Sequence, residues 1–206
     1  MKNSRVAIVH DYLTQYGGAE RVLEELSLLF PDAPIFTLLY DERATGGAFA
    51  GRTIYTSFLS RLPGISSWYR MFPVLMPLAI ERFDLSSYDI VISSSSSFAK
   101  GVLTREDALH LCYCHTPTRF AWFDYRKIAG HSLYPRWVSL FVPLVLPYIR
   151  LWDRMASARV DVYACNSHYI AEKIKKYYRR TATVIYPPVN TKRFAPEGEV
   201  EYFLVV

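Results

Sequence analysis

Apolar and polar positions near the amino terminus change from one period to another, which predicts a strand followed by a helix. Residues 5–9 (RVAIV) form a short β-rich apolar run, typical of a strand buried on both faces of a parallel sheet. Across residues 19–30 apolar side chains recur every three or four positions, which predicts an amphipathic helix that stops at Pro31. A second strand is predicted at residues 33–39. Strand, helix and strand with short connections indicate a right-handed βαβ unit and a parallel sheet.

The remaining apolar runs extend this pattern. Further strands are predicted at residues 88–94, 108–114, 160–166 and 181–186. Ser167 is predicted to cap a helix that runs to Tyr178, and another helix is expected around residues 136–158. No internal repeat is visible. The chain is therefore predicted to be an α/β protein with a Rossmann-like, doubly wound parallel sheet of about six or seven strands.

The carboxyl-terminal residues differ in composition from the rest of the chain. Residues 186–199 have the composition of a linker, and residues 201–206 (EYFLVV) resemble the start of a new buried strand. We therefore expect an amino-terminal domain over residues 1–186, an interdomain linker over 187–200, and the first strand of a truncated second domain over 201–206. The alternative is a terminal strand that pairs with the edge of the same sheet.

Composition excludes several classes of protein. With 51% hydrophobic residues among 206, the chain is globular rather than disordered. Three cysteines suggest no disulfide framework and fit a reducing compartment, so we expect a cytoplasmic protein. The apolar run after Arg5 is only four residues long, too short for a secretory signal.

Positive charge is concentrated in one part of the chain. Residues 119–193 carry 14 basic and 4 acidic side chains, whereas residues 1–118 carry 10 basic and 12 acidic ones. This asymmetry points to phosphate groups, an acidic lipid surface or nucleic acid as a partner; a solvated basic face is the alternative. The apolar run at residues 137–149 has only 13 residues, so it is expected to be an interfacial segment or a buried core helix rather than a membrane span.

Two adjacent glycines, Gly17 and Gly18, lie between the first strand and the first helix. Free N–H groups at a helix start favour an anion, and glycine allows a phosphate to approach the backbone, so a diphosphate is the expected ligand. A simple tight turn is the alternative. Asp41 stands where a dinucleotide-binding fold has its ribose-binding acid, but Arg21 takes the place of the third glycine, which argues against that fold.

A second candidate group lies at residues 112–125 (CYCHTPTRFAWFDY). His115 follows a strand at the sheet edge where ligands bind, and an imidazole there can hydrogen-bond a sugar hydroxyl or transfer a proton; a structural role is the alternative. Cys112 and Cys114 are expected to point to the opposite face as buried thiols. No further ligand pair completes a zinc site, so no metal is predicted.

Four motifs in this order give the chain a family resemblance: HDYLTQYGGAERVLEEL, CYCHTPTRFAW, YACNSHYIAEKIKKYY and VIYPPVNTKRF. They resemble the amino-terminal half of a family 4 glycosyltransferase, and most closely the bacterial enzymes, mannosyltransferases among them, that build O-antigen or exopolysaccharide. The resemblance implies a GT-B fold, with Gly17 and Gly18 beneath the donor diphosphate. It also implies that His115 contacts the transferred sugar as the catalytic histidine, and that Asn166 and Ser167 cap a helix.

The resemblance also suggests where acceptor and membrane would bind. Acceptor contacts are predicted for a group of polar residues near the same edge: Asp11, Ser96, Lys100, Arg119 and Asp124. For the loop around Ser96 and Lys100, a plain solvated loop is the alternative. An anionic membrane surface is predicted to contact a basic and aromatic group: Lys173, Lys175, Lys176, Arg179, Arg180 and Trp137.

The expected function is that of a retaining glycosyltransferase that moves a sugar from a nucleotide-diphosphate sugar to a lipid-linked saccharide acceptor in surface polysaccharide synthesis. Mannose from GDP-mannose is the candidate donor, and no cofactor, metal or nucleic acid is expected. The enzyme is expected at the inner face of the cell membrane, and the 206-residue chain alone is expected to be inactive. The alternative is a non-catalytic membrane-docking or ligand-binding Rossmann-like module.

Overall fold

The computed structural model describes residues 4–65, 69–123, 136–189 and 191, with side chains at all of these except 70 and 136–142. Seven strands in these ranges form one sheet: β1 (Val6–His10), β2 (Ile35–Thr37), β3 (Ile54–Thr56), β4 (Ile90–Ser95), β5 (Leu109–Cys114), β6 (Val162–Cys165) and β7 (Thr183–Val184). The order is β3-β2-β1-β4-β5-β6-β7, and every pairing is parallel. The predicted doubly wound α/β fold is confirmed.

Among the strands in the described ranges, β3 is the one that the sequence pattern did not predict, and the pattern also missed two short helices at Leu75–Glu81 and Arg119–Trp122. Strand β3 has three residues at the sheet edge, and its residues Tyr55 and Thr56 are exposed. A strand so short and so little buried carries no readable alternation of apolar and polar positions. The other six strands fall within one residue of the predicted ranges or inside them.

Five α-helices lie in the described ranges: α1 (Gly18–Leu29), α2 (Leu75–Glu81), α3 (Arg119–Trp122), α4 (Arg136–Ala158) and α5 (His168–Tyr178). Three short 3-10 helices occur at Phe58–Arg61, Tyr69–Met71 and Ala99–Gly101. The Ser167 hydroxyl accepts a hydrogen bond from the N–H of Ile170 at 3.3 Å, which confirms the predicted cap of α5.

Helices cover the two faces of the sheet unequally. On one face α1 packs through Leu23 against Ile8 and Ile35. On the other face α2, α4 and α5 cover the strands, with Ile80 of α2 and Ile149 of α4 in the same core as Val9, Val91 and Leu38. Alternate residues of each central strand are therefore buried on opposite faces, as expected for a parallel sheet.

Helix α4 confirms the predicted helix and continues through Pro143 and Pro147. One of its faces is buried through Leu146 and Ile149. The opposite face exposes a stripe of apolar side chains: Leu144, Tyr148, Leu151 and Met155. The helix thus has both a core-facing side and an uncovered apolar side. None of the helices in the described part of the chain is both long and apolar enough to span a bilayer.

The proposed division at the carboxyl terminus lies almost entirely outside the described residues. Residues 192–206, which include most of the predicted linker and the predicted strand at 201–206, are not among them. Those two predictions remain predictions.

Candidate functional site

The candidate site lies at the carboxyl edge of the sheet, where the strand order reverses between β1 and β4. Such a switch point is where ligands bind in open α/β sheets. The glycine pair follows β1, the loop at residues 96–99 follows β4, and His115 follows β5. The structure therefore brings together three chain segments that the sequence had singled out separately.

The glycine pair begins helix α1 and leaves its first amides open. Gly17 is the N-cap residue, and its N–H donates to Oε2 of Glu20 at 2.7 Å. Gly18 is exposed, and a Cβ built on it would have no other atom within 4 Å. Within the described residues, neither Gly18 nor Ala19 donates its backbone N–H to a protein acceptor. Open amides at a helix start, on an exposed glycine, can bind an anion.

The side chain of Glu20 packs against the start of α1 on the side that faces the protein interior. This side chain is buried at 4% exposure and lies between Gly17 and His10. Burial raises the pKa of the carboxyl group, but contacts with His10 and with the backbone N–H groups of Glu20 and Gly17 lower it by more. The net pKa lies below the usual value, so Glu20 is an anion at neutral pH.

The ring of His115 contacts the hydroxyl of Ser94. Its Nε2 lies 2.8 Å from Oγ of Ser94, and its ring stands edge-on to Tyr113 with the ring centres 5.1 Å apart. Burial lowers the pKa of His115 to about 4, with a smaller contribution from His10. The imidazole is therefore neutral at physiological pH and can hydrogen-bond without carrying charge.

A line of contacts connects the glycine pair to His115. Oγ of Ser94 also lies 3.0 Å from Nδ1 of His10, and Nε2 of His10 lies 3.6 Å from Oε1 of Glu20. His10 and Ser94 are opposite each other on the neighbouring strands β1 and β4, which explains why both side chains reach the same face. The start of α1 and the imidazole of His115 are thus connected through side chains at the same edge of the sheet.

A comparison of the sequence with protein families agrees with this geometry. The family model described as Glycosyltransferase Family 4 matches residues 16–193, from the loop before the glycine pair to beyond β7. The chain belongs to glycosyltransferase family 4. No curated protein matches it by sequence.

Three members of the contact line in this family 4 domain were missed by sequence reasoning: His10, Glu20 and Ser94. Glu20 did have a sequence signal, since an acid three positions after an N-cap residue is the second half of a capping box. His10 gave a weaker signal, as a polar residue at the end of a buried strand. Ser94 lies in a run of five serines, and no pattern distinguishes it from its neighbours.

Asp11 does not have the acceptor-binding position that the sequence predicted. Its side chain is buried at 3% exposure, and its two carboxylate oxygens accept four backbone N–H groups. The donors are Ser96 at 2.5 Å, Ser97 at 2.9 Å, Phe98 at 2.7 Å and Ala99 at 2.6 Å. With its oxygens used in this way, Asp11 shapes the loop after β4 and is not available to a saccharide.

Lys100 is a second correction, because the predicted solvent-facing lysine is completely buried. Its Nζ lies 2.5 Å from Oδ1 of Asp153. Burial lowers the pKa of Lys100, but Asp153 raises it by more, so that the ammonium stays charged. Asp153 also accepts hydrogen bonds from Thr118, Trp122 and Tyr178. Lys100 therefore joins the loop after β4 to α4 and α5 and has no free donor for an acceptor substrate.

The remaining predicted acceptor residues have different surroundings. Ser96 is half-buried at the sheet edge, and Arg119 is exposed at the first residue of α3. Both positions are compatible with a contact to a bound saccharide. Asp124 lies outside the described residues.

The predicted membrane-facing residues divide into two groups. Lys175, Lys176 and Arg179 are exposed at the end of α5. Arg180, in contrast, donates to the carbonyls of Val160 and Asp161 at 2.7 and 3.0 Å, so its guanidinium group is used inside the fold.

Two other members of the predicted group differ from these. Nζ of Lys173 lies 4.9 Å from the ring centre of Phe123 and 5.0 Å from that of Tyr169, so this ammonium is held over two aromatic rings. For Trp137, only the backbone is among the described atoms.

The cysteines are structural, as predicted. Cys112, Cys114 and Cys165 are buried free thiols in one core cluster beneath α5, on the face opposite to Tyr113 and His115. Among the described residues, no three His, Cys, Asp or Glu side chains are grouped so that they could hold a metal ion.

Proposed function

We propose that this family 4 domain binds the diphosphate of a nucleotide sugar at the start of α1 and the transferred sugar at His115, in a retaining glycosyltransferase. The observation that supports this most directly is the pair of open amides at Gly18 and Ala19, connected by side-chain contacts to a neutral imidazole. In this proposal the anion-binding group and the hydroxyl-binding group lie at the same edge of the sheet, connected through Glu20, His10 and Ser94.

Each group would have a separate task during transfer. The N–H groups of Gly18 and Ala19, with the positive end of the α1 dipole, would stabilise the charge that develops on the departing diphosphate. His115 would orient the sugar through one of its hydroxyls, so that the bond to the leaving group breaks in a fixed geometry. The proposed donor is GDP-mannose, which the family resemblance suggests.

The proposed acceptor is a lipid-linked saccharide, and two surface features favour a site near lipid. Helix α5 ends in exposed cations at Lys175, Lys176 and Arg179, and α4 exposes an apolar stripe that includes Leu144 and Leu151. The two helices are joined, since the Tyr178 hydroxyl donates to Asp153 at 2.8 Å. Exposed cations together with exposed apolar side chains are typical of peripheral membrane binding at an anionic surface.

The first test is sugar transfer by the full-length gene product, assayed against a panel of nucleotide sugars that includes GDP-mannose. We expect transfer from one donor, and His115→Ala should lower kcat/KM by about 100-fold, in the range for loss of a group that positions the reacting sugar. Glu106→Ala is the control, because Glu106 is exposed in the loop that precedes β5, at the opposite, amino edge of the sheet. Equal rates for both variants would remove His115 from the site.

The second test is sedimentation with vesicles of neutral phospholipid, alone or mixed with anionic phospholipid. Binding should require the anionic lipid and should weaken as salt is raised. The double variant Lys176→Glu/Arg179→Glu should lose most of this binding, whereas Arg43→Glu/Arg61→Glu, which changes exposed cations near β2 and β3, should keep it. Loss of binding in both variants would indicate a general charge effect and contradict a defined surface.

The alternative proposal is a non-catalytic membrane-docking or ligand-binding module. The same two assays separate it from the enzyme. A protein that binds anionic vesicles, and whose full-length form transfers no sugar from any donor in the panel, would favour the module.

A further inference from the structure

Four side chains form a continuous row from the start of α1 to His115, and we call them the relay: Glu20, His10, Ser94 and His115. The contacts are 3.6 Å between Glu20 Oε1 and His10 Nε2, 3.0 Å between His10 Nδ1 and Ser94 Oγ, and 2.8 Å between Ser94 Oγ and His115 Nε2. Glu20, His10 and Ser94 are all less than 5% exposed. Water therefore has little access to the row, and the protein itself determines where each proton lies.

The direction of the relay is determined at Glu20. Its Oε2 accepts the N–H of Gly17, and its Oε1 faces Nε2 of His10. A carboxylate accepts hydrogen bonds and donates none, so the His10 nitrogen that faces it carries the proton. In a neutral imidazole the other nitrogen then has a free lone pair, and Nδ1 of His10 accepts the proton of the Ser94 hydroxyl.

The Ser94 hydroxyl, which donates to His10, determines which nitrogen of His115 carries the proton. A serine hydroxyl has one proton, and here it is used toward His10. The contact of 2.8 Å between Ser94 Oγ and His115 Nε2 can then be a hydrogen bond only if Nε2 of His115 is the donor. A neutral His115 with its proton on Nε2 has a lone pair on Nδ1, and Nδ1 makes no hydrogen bond to any residue within the described ranges.

We propose that Glu20, His10 and Ser94 are positioning residues that hold the proton of His115 on Nε2, so that Nδ1 accepts a hydrogen bond from a substrate hydroxyl. The identification of that hydroxyl as one of the transferred sugar rests on the proposed function. An acceptor nitrogen binds a hydroxyl but repels a phosphate oxygen, which also accepts. The site would thus direct the diphosphate to the amides of Gly18 and Ala19 and a sugar hydroxyl to His115.

The substitution Glu20→Gln should reverse the relay without removing it. The amide oxygen would still accept the N–H of Gly17, and this orientation turns the NH2 group toward His10. Nε2 of His10 would then have to accept, its Nδ1 would donate to Ser94, and Ser94 would donate to His115. The proton of His115 would move to Nδ1, and the nitrogen offered to the substrate would change from acceptor to donor.

The experiment is NMR of the 206-residue chain with 15N-labelled histidine at slightly alkaline pH. The chain has five histidines, so each ring can be assigned by single replacement. In the unsubstituted chain, Nδ1 of His115 should give the resonance of an unprotonated ring nitrogen, and Nε2 that of a protonated one. In Glu20→Gln the two should exchange. Glu25→Gln is the matched control, since Glu25 is exposed on the same helix, and it should leave all five rings unchanged.

A protonated Nδ1 of His115 in the unsubstituted chain would overturn the proposal, and this outcome needs no variant to fold. An unchanged His115 in a folded Glu20→Gln chain would overturn the role of Glu20. In the full-length gene product, Glu20→Gln should lower kcat/KM by about tenfold, the cost of one misdirected hydrogen bond. Absence of transfer from every donor would refute the proposed function and leave the NMR result standing, so the two failures are distinguishable.

Discussion

Two clusters of backbone N–H groups lie at the same edge of the sheet, and the protein treats them in opposite ways. At residues 96–99, all four N–H groups donate to the buried carboxylate of Asp11, at 2.5 to 2.9 Å. At the start of α1, Glu20 accepts the N–H of Gly17, while Gly18 and Ala19 remain open toward an exposed surface. In the first cluster a protein carboxylate reaches all four N–H groups, whereas in the second it leaves those of Gly18 and Ala19 without an acceptor among the described residues.

The difference shows which of two similar features can bind a ligand. Clustered N–H groups favour any negative charge, whether it belongs to a side chain or to a substrate. In the loop after β4, a carboxylate from β1 neutralises the amides, and Lys100 with Asp153 ties the other end of the loop to α4. The N–H groups of that loop are consequently already satisfied within the fold. At the start of α1, by contrast, the N–H groups of Gly18 and Ala19 have no acceptor among the described residues and can still bind an anion.

The largest effect is expected for Asp11→Asn, which removes the anion from the filled cluster. An amide offers one acceptor oxygen in place of two and turns its own N–H groups toward backbone donors. Buried donors then lose their partners, so the free energy of unfolding should fall by about 3–5 kcal/mol. Urea denaturation of the chain would measure it.

The matched control is Asp84→Asn. Asp84 is an exposed carboxylate that accepts hydrogen bonds from the N–H and hydroxyl of Ser86 at 3.0 and 2.6 Å. Its loss should cost far less than the loss of Asp11, because water can replace the missing acceptor. If Asp11→Asn destabilises the chain no more than Asp84→Asn does, the loop after β4 is not organised around Asp11.

The second largest effect is expected when the pH is lowered. The free energy of unfolding should then fall by at most about 3 kcal/mol for each buried histidine. Burial lowers the pKa of both His110 and His115 to about 4, against about 6.5 for an ordinary histidine. Between these values the unfolded chain binds protons that the folded chain does not, so stability is complete above about pH 6.5 and is lost as the pH falls toward 4. The depressed pKa of Glu20 acts in the same direction.

This pH dependence tests whether the two imidazoles are buried and neutral in the folded chain. Urea denaturation at pH 7.5 and pH 4.5 should show the loss, and His115→Gln should make it smaller. His168→Gln, at an exposed position, should leave it unchanged. A flat stability profile across this range would contradict neutral, buried imidazoles.

The sequence predicted those features of the molecule that depend on neighbours along the chain. Helix α4, the Ser167 cap and the burial of Cys112 and Cys114 all follow from local period and composition. The open N–H groups at the start of α1 also follow, because a helix start leaves its first N–H groups without intrahelical partners.

The features that were missed join distant residues. Asp11 meets amides 85 to 88 positions away, and Ser94 lies 84 positions from His10. Lys100 meets Asp153 across the interior of the fold. Such contacts depend on the register of the sheet, and a backbone N–H carries no sequence signature at all. For this reason the sequence suggested that Asp11 and Lys100 bind a substrate, whereas in the structure they pair with buried N–H groups and a buried carboxylate of the protein.

The smallest effect on stability, and the most specific for the open cluster, is expected for Gly18→Ala. Because nothing lies within 4 Å of the added methyl group and Gly18 is helical, alanine should raise the free energy of unfolding by about 0.5–1 kcal/mol. The same methyl group would keep a diphosphate from approaching the amides. A folded, slightly more stable protein should thus bind its donor at least tenfold more weakly, with KM rising in the full-length gene product.

Gly17→Ala provides the contrast, since its added methyl group would lie 3.1 Å from Oε2 of Glu20. That contact should disturb the cap of α1 and lower stability, so a loss of donor binding there could follow from the damaged helix start. In Gly18→Ala it could not. If Gly18→Ala gains stability and binds donor as well as before, the amides at the start of α1 are open for another reason, and the diphosphate lies elsewhere along the edge.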